Sequence, residues 1–145
     1  MPPPFTLAAI ALTVYNTAHT IFGTLFPSSF GEEADAVLLG MKTVSFDLMG
    51  STASYYGLFF GLGLYTSLFL AFSAYVAFAL NAAGSAEQWA VLRPIAISLA
   101  VAHVADAVLA GLYFFVSPVI MSVLTVLLVA WGIKQKDDEF KKKAE

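Results

Sequence analysis

The 145-residue sequence contains no cysteine, which excludes disulfide frameworks, thiol redox chemistry and thiolate metal sites. Charge is also scarce. Asp, Glu, Lys and Arg make up 12% of the chain, against about 25% in soluble domains. Five of the 7 basic residues, Lys134, Lys136, Lys141, Lys142 and Lys143, crowd into the C-terminal tail, leaving Lys42 and Arg93 for everything before it. A chain so poor in basic residues is not a nucleic-acid binder, and the low charge excludes disordered tails and ordinary cytosolic enzymes. What is abundant is apolar: 59% of residues are hydrophobic and mean hydropathy is +0.81. That composition belongs to a small polytopic membrane protein of one domain.

Crossing about 30 Å of hydrocarbon takes about 20 apolar residues in a helix. A charge near the bilayer centre costs from about 2.5 to more than about 10 kcal/mol, so charge-free runs mark the spans. They fall at about 5–26, ended by Pro27; 54–80, followed by Asn81 and Gly84; 94–116, opened by Pro94; and 118–133, stopped by the charged tail 134–145. Proline suits the first turn of a helix, so Pro94 is expected to start the third. The fourth is short and must borrow flanking residues or sit in thinned bilayer. Met1-Pro2-Pro3-Pro4 lacks the basic residue of a secretory leader, and the first span is too long for a signal core.

The expected fold is therefore all-α, a four-helix antiparallel transmembrane bundle. Short links, Ala82 to Trp89 and Ser117-Pro118, force neighbouring helices to be antiparallel. In the long connection 27–53, Val37, Leu38, Met41, Val44 and Phe46 recur at roughly helical spacing. It reads either as an interfacial segment over one end of the bundle or as an exposed luminal loop.

Positive residues near span ends stay cytoplasmic, which places the lysine tail and both termini inside and the acidic Glu32–Asp35 loop opposite. Lys142 and Lys143 stand fourth and third from the C-terminal end, where they resemble the dilysine retrieval signal of endoplasmic-reticulum membrane proteins. Such a signal is a receptor-read address. The alternative is a lysine-rich topology anchor on a bacterial inner-membrane protein.

Inside the spans polar residues are few. Thr13, Asn16, Thr20 and Gly23 line one face of the first span, with His19 and Thr17 at its margins. The third carries His103 and Asp106, three apart and so on one helical face. At about 1.5 Å per residue, His19 and His103 reach similar depths. An intramembrane ionisable residue is a functional-site candidate by default. Asp106 and His103 are the candidate catalytic pair for acid–base chemistry, with Asn16, His19 and Thr20 orienting a substrate's polar head. No cofactor or metal is predicted. A haem ligated by His19 and His103 is an alternative that needs facing imidazoles at one depth. Against both stands plain helix–helix glue, with His19 bonded to Asn16 and Asp106 to a tyrosine; such bonds are worth about 0.6 kcal/mol each.

Gly57 and Gly61, extended by Gly63, make a Gly-x-x-x-Gly face on the second span. It serves either a homodimer seam or close packing within the chain. Tyr55, Tyr56, Trp89 and Trp131 fall near span ends, as an interfacial aromatic belt would.

The stretch Phe46-Asp47-Leu48-Met49-Gly50-Ser51, continuing through Ser54-Tyr55-Tyr56-Gly57 and Gly61-Leu62-Gly63-Leu64, is similar to small uncharacterised four-helix membrane proteins. In those a Met-Gly-Ser turn leads into an aromatic- and glycine-rich second span. The resemblance implies the four-span architecture and no activity. In size, location and intramembrane acid the chain also resembles membrane isomerases and terpene cyclases of the endoplasmic reticulum. Those are longer, and no site is carried over from them.

Two functional classes follow. One is an endoplasmic-reticulum membrane protein that binds or converts a small hydrophobic molecule, such as a lipid, isoprenoid or polyketide intermediate, as an isomerase or cyclase would. The other is a non-catalytic scaffold for partner enzymes in the same bilayer. Transport fits less well, because no inverted repeat or broken helix pair is visible.

Overall fold

Four stretches are long and apolar enough to cross a membrane as helices: Pro4–Leu25, Tyr55–Ala82, Ala86–Tyr113 and Val116–Lys143. They appear in a computed structural model that describes residues 2–26 and 29–144, with side chains to Lys143. In chain order the elements are α1 (Pro4–Ala18), continued by a π-helix (His19–Leu25), then α2 (Glu32–Thr43) and a hairpin of β1 (Ser45–Leu48) and β2 (Ser51–Ser54). Then follow α3 (Tyr55–Ala79), closed by a 3₁₀ turn (Leu80–Ala82), α4 (Ala86–Tyr113) and α5 (Val116–Ala144). The protein is all-α, of the helical-bundle class, with one short hairpin. Met1, Pro27, expected to end the first span, and Glu145, at the end of the dilysine-type sequence, lie outside the described residues.

Two helix starts differ from the sequence expectation. α4 begins at Ala86, so Pro94 lies in its interior. The start is set by Ser85, whose Oγ accepts the Gln88 backbone N–H at 3.3 Å. Gln88 Oε1 reaches back to the Gly84 N–H at 2.9 Å. This is close to the reciprocal serine–glutamine cap that opens many helices. Pro94 removes one backbone donor inside the helix without ending it. α5 is not short: it runs 29 residues, about 43 Å, because the helix continues through the charged stretch. Pro118 sits in its first turn, where the missing N–H costs nothing.

The connection between the first two spans is built, not looped. Thr43 ends α2, and the strands pair antiparallel from Ser45↔Ser54 to Leu48↔Ser51. Met49 and Gly50 turn the corner with φ of 55° and 85°, the doubly positive pattern of a two-residue hairpin turn. Asp47 Oδ1 accepts the Gly50 N–H at 3.2 Å. Ser54 then caps α3, its Oγ accepting the Gly57 N–H at 3.1 Å.

The chain divides into two compact units, residues 1–15 with 70–145, and residues 16–69. In the first, Phe5, Ala8, Ala9 and Leu12 form the buried stripe of α1, at the i, i+3, i+4, i+7 spacing of one helix face. Leu70, Ala74, Ala77 and Leu80 are buried on the α3 side, Ala96, Leu99 and Ala110 on α4, and Val129 on α5. Small side chains let membrane helices approach closely. Gly132 makes the same point, since a Cβ there would stand 2.7 Å from the Phe5 ring. α4 and α5 pack against each other.

The second unit has a different interior. Among its described residues only Thr24 and Ser67 are buried. Gly63 is the close-approach glycine here, for a Cβ would stand 2.9 Å from Thr24 Oγ1. Gly57 and Gly61 do not do this. Nothing but the Ser54 hydroxyl lies within 4 Å of a Cβ at Gly57, and nothing at all at Gly61.

Candidate functional site

Three polar clusters occur, and each is described within its own unit. In the unit of residues 16–69, the first span changes winding at His19. A π-helix is rare, mostly a single turn, and frequent at functional sites; here it runs 7 residues, His19–Leu25. The wider winding makes residues five apart neighbours, so Thr24 Oγ1 lies 3.4 Å from His19 Nε2. His19 Nε2 also lies 3.1 Å from the Gly63 carbonyl oxygen. A carbonyl only accepts, so Nε2 carries the proton. Ser67 donates to the same oxygen at 3.2 Å. Thr20 Oγ1 stands 2.8 Å from Ser67 Oγ and 3.3 Å from Asn16 Oδ1, and its one hydroxyl proton can serve either. The structure therefore brings together Asn16, His19 and Thr20, as expected, and adds Thr24, Gly63 and Ser67. His19 belongs to the cluster and is no marginal residue. Thr13 turns to its own helix, donating to the Ala9 carbonyl at 2.8 Å.

His103 and Asp106 belong to the other unit, one turn apart on α4. His103 is 1% exposed, while Asp106 is half-buried. Ser122 on α5, itself buried, donates to Asp106 Oδ2 at 2.5 Å. Thr125, one turn further along the same face of α5, is buried and donates to the Met121 carbonyl at 2.9 Å. Ser73 Oγ, on α3, is buried without a hydrogen-bond partner among the described residues. Ser122 is thus a hydrogen-bond partner of the acid, and Tyr15 on α1 also lies within electrostatic reach of the carboxyl. Ser122 and Thr125 are the residues sequence reasoning passed over; their i, i+3 spacing in an otherwise apolar run was the available signal.

The third cluster lies beyond the apolar part of α4 and α5. Trp89 is 4% exposed and does not belong to an exposed aromatic belt. Its ring packs 6.0 Å from that of Phe5, and its Nε1–H donates to Asp137 Oδ1 at 2.7 Å. Arg93 Nε and Nη2 hold both oxygens of the same carboxylate at 3.1–3.2 Å. Lys136 Nζ donates to the Ala83 carbonyl at 2.9 Å, and Phe140 is buried under the Lys136 and Lys143 ammonium groups. This clasp explains why α5 stays helical past Ile133. Tyr55 and Trp131 remain exposed.

A concavity of about 640 Å³ lies along the charged end of α5, walled by Trp131, Lys134, Asp138, Glu139 and Lys142. It does not include Asp106. Among the described residues no three or more His, Asp or Glu side chains are grouped to hold a metal ion. The two histidines weighed as haem ligands belong to different units.

In comparison with known proteins, no family model, no curated protein and no solved structure matches this chain.

Proposed function

We propose that the protein binds or converts a small hydrophobic molecule through the intramembrane acid Asp106, with His103 as its acid–base partner. The observation that carries this reading is a half-buried carboxyl on a membrane-spanning helix, with Oδ2 held by Ser122 and His103 one turn away. A hydroxyl or amide would bond two helices at far less cost than an ionisable group at that depth. A carboxyl fixed by one hydroxyl can hand a proton to, or take one from, a lipid, isoprenoid or polyketide-like molecule arriving from the bilayer. Asn16, His19 and Thr20, in the other unit, form a hydrogen-bonding cluster of their own that can hold a polar head. The π-helix that carries His19 and Thr20 supports that role. The enzyme class that fits is an acid–base isomerase or cyclase.

The second reading is a scaffold for partner enzymes. It is favoured by the same Ser122–Asp106 bond, which ties α4 to α5, and by the bare Gly57/Gly61 face, which suits a partner helix or a second copy. We assign the protein to the endoplasmic-reticulum membrane with both termini cytosolic, on the clustering of lysines in the tail and the Lys142-Lys143 pair. The bacterial inner membrane is the alternative. Lys142→Ser with Lys143→Ser should release a tagged protein from the endoplasmic reticulum; unchanged location removes that assignment.

Asp106→Asn separates the functional readings, because the amide keeps shape and the Ser122 contact. Lipid extracts of membranes carrying each variant should then differ in one substrate–product ratio by about 10²–10⁴, the loss expected for a general acid or base. Melting of the purified protein should hardly change. If extracts from Asp106→Asn and Asp106→Leu membranes match the wild type while Asp106→Leu melts earlier, Asp106 is glue and the scaffold reading stands.

A further inference from the structure

Residues 29–54 fold into α2 and the hairpin without burying a single side chain. In water that is unstable. An isolated helix of 12 residues is marginal even with favourable sequences, and a lone two-stranded hairpin is no better. Both elements are nevertheless amphipathic. On α2, Ala34, Val37, Leu38 and Met41 fall within one stripe about 100° wide, with Lys42 at its margin and Glu32, Asp35 and Leu39 on the other side. The strand register puts Phe46 and Ala53 with Leu48 and Ser51 on one face, and Ser45 and Ser54 with Asp47 and Thr52 on the other. Val37 is 66% exposed, and Met49, at the turn, 98%.

The apolar faces are continuous with a membrane span. β2 passes into α3 with no residue between them. Phe46 packs 4.8 Å from Tyr55, and the Lys42 ammonium sits 4.6 Å over the Tyr56 ring. Tyr55 and Tyr56 open the span, where aromatic rings and lysines mark the headgroup level. α2 and the hairpin are thus tied, through two side-chain contacts and the chain itself, to the height of the membrane surface.

We propose that α2 and the hairpin form a platform seated in the lipid surface, with Val37, Leu48 and Met49 in the boundary between headgroups and acyl chains. The bilayer supplies the apolar phase that the segment lacks. Glu32, Glu33, Asp35 and Asp47 outnumber Lys42, so seating is driven by apolar area and needs no anionic lipid.

The absence of cysteine makes the test direct. Val37→Cys, Leu48→Cys and Met49→Cys, with Asp35→Cys, Asp47→Cys and Thr52→Cys as counterparts, are made in the full chain. Each is labelled with a nitroxide and reconstituted in phosphatidylcholine vesicles. Relaxation by oxygen should exceed relaxation by an aqueous nickel chelate at the first three, and the order should reverse at the others. Greater relaxation by nickel at all six positions overturns the proposal. So does spin–spin broadening at 48 and 49, which would mean that a second copy covers the face. In the unaltered protein, Met49 should be oxidised by aqueous peroxide more slowly in vesicles than free methionine; equal rates also overturn it.

Discussion

In residues 1–15 and 70–145 the buried side chains are mainly alanine, leucine and aromatic: Ala8, Ala77 and Ala96 with Phe5, Leu70 and Trp89. In residues 16–69 they are Thr24 and Ser67, and the contacts that recur are hydroxyl, imidazole and carbonyl. The difference follows from the solvent. Lipid is as apolar as leucine, so helices in a bilayer gain little by burying leucine against leucine. What remains is close packing of small residues, which predominates in the first unit beside its Ser122–Asp106 bond, and hydrogen bonds across helices, which predominate in the second. The first also has the Trp89–Arg93–Asp137 clasp beyond its apolar part, where water restores the ordinary hydrophobic and ionic terms.

The contrast can be broken by substitution. The largest effect is expected at Trp89. Trp89→Ala opens a cavity against Phe5 and should cost about 3–5 kcal/mol in denaturation of the purified protein. Trp89→Phe keeps the ring and loses only the bond to the partly exposed Asp137, costing about 1 kcal/mol. Next come the two glycines of close approach. Gly132→Ala forces a Cβ into the Phe5 ring, Gly63→Ala into the Thr24 side chain, and overpacking of this kind costs about 1–3 kcal/mol. Thr24 can rotate away more readily than a buried phenylalanine. Thermal melting should therefore fall further for Gly132→Ala, and the reverse order would mean that the hydroxyl cluster is the stiffer region.

Smaller still is Thr20→Val, which removes the Ser67 bond and should cost about 0.6 kcal/mol, the average for membrane hydrogen bonds. A loss several times larger would show that Asn16, Thr20 and Ser67 act as one network. The least effect is expected at Gly61. With nothing within 4 Å of its Cβ position, Gly61→Ala should leave the monomer unchanged or gain up to about 1 kcal/mol of helix propensity. Reduced chemical cross-linking of this variant in membranes would reveal a second copy on the Gly57/Gly61 face.

Much of the candidate site was legible and some was not, for identifiable reasons. His103 and Asp106 share a face because a spacing of three fixes that in any helix, and Asn16 and Thr20 meet for the same reason. The π-helix at His19–Leu25 carries no local signal, so Thr24 could not be joined to His19 by counting 3.6 residues per turn. The hairpin turn is Met49-Gly50, not the asparagine–glycine pair that announces such turns. The start of α4 was legible in Ser85-Ala86-Glu87-Gln88, but Pro94 gives a competing signal eight residues later.

The sequence by itself determined how many helices are apolar enough to cross a membrane and roughly where they lie, because the cost of charge in hydrocarbon acts residue by residue and needs no knowledge of neighbours. It also determined that Asp106 is the unusual group, since no other acid lies within an apolar run. Tertiary structure alone decided which polar groups meet: Thr20 with Ser67, His19 with the Gly63 carbonyl, Asp106 with Ser122, Trp89 with Asp137. Those pairs are 16 to 48 residues apart in the chain. Whether two such atoms meet depends on the rotation and height of one helix against another, to within the few tenths of an ångström that separate a hydrogen bond from a miss.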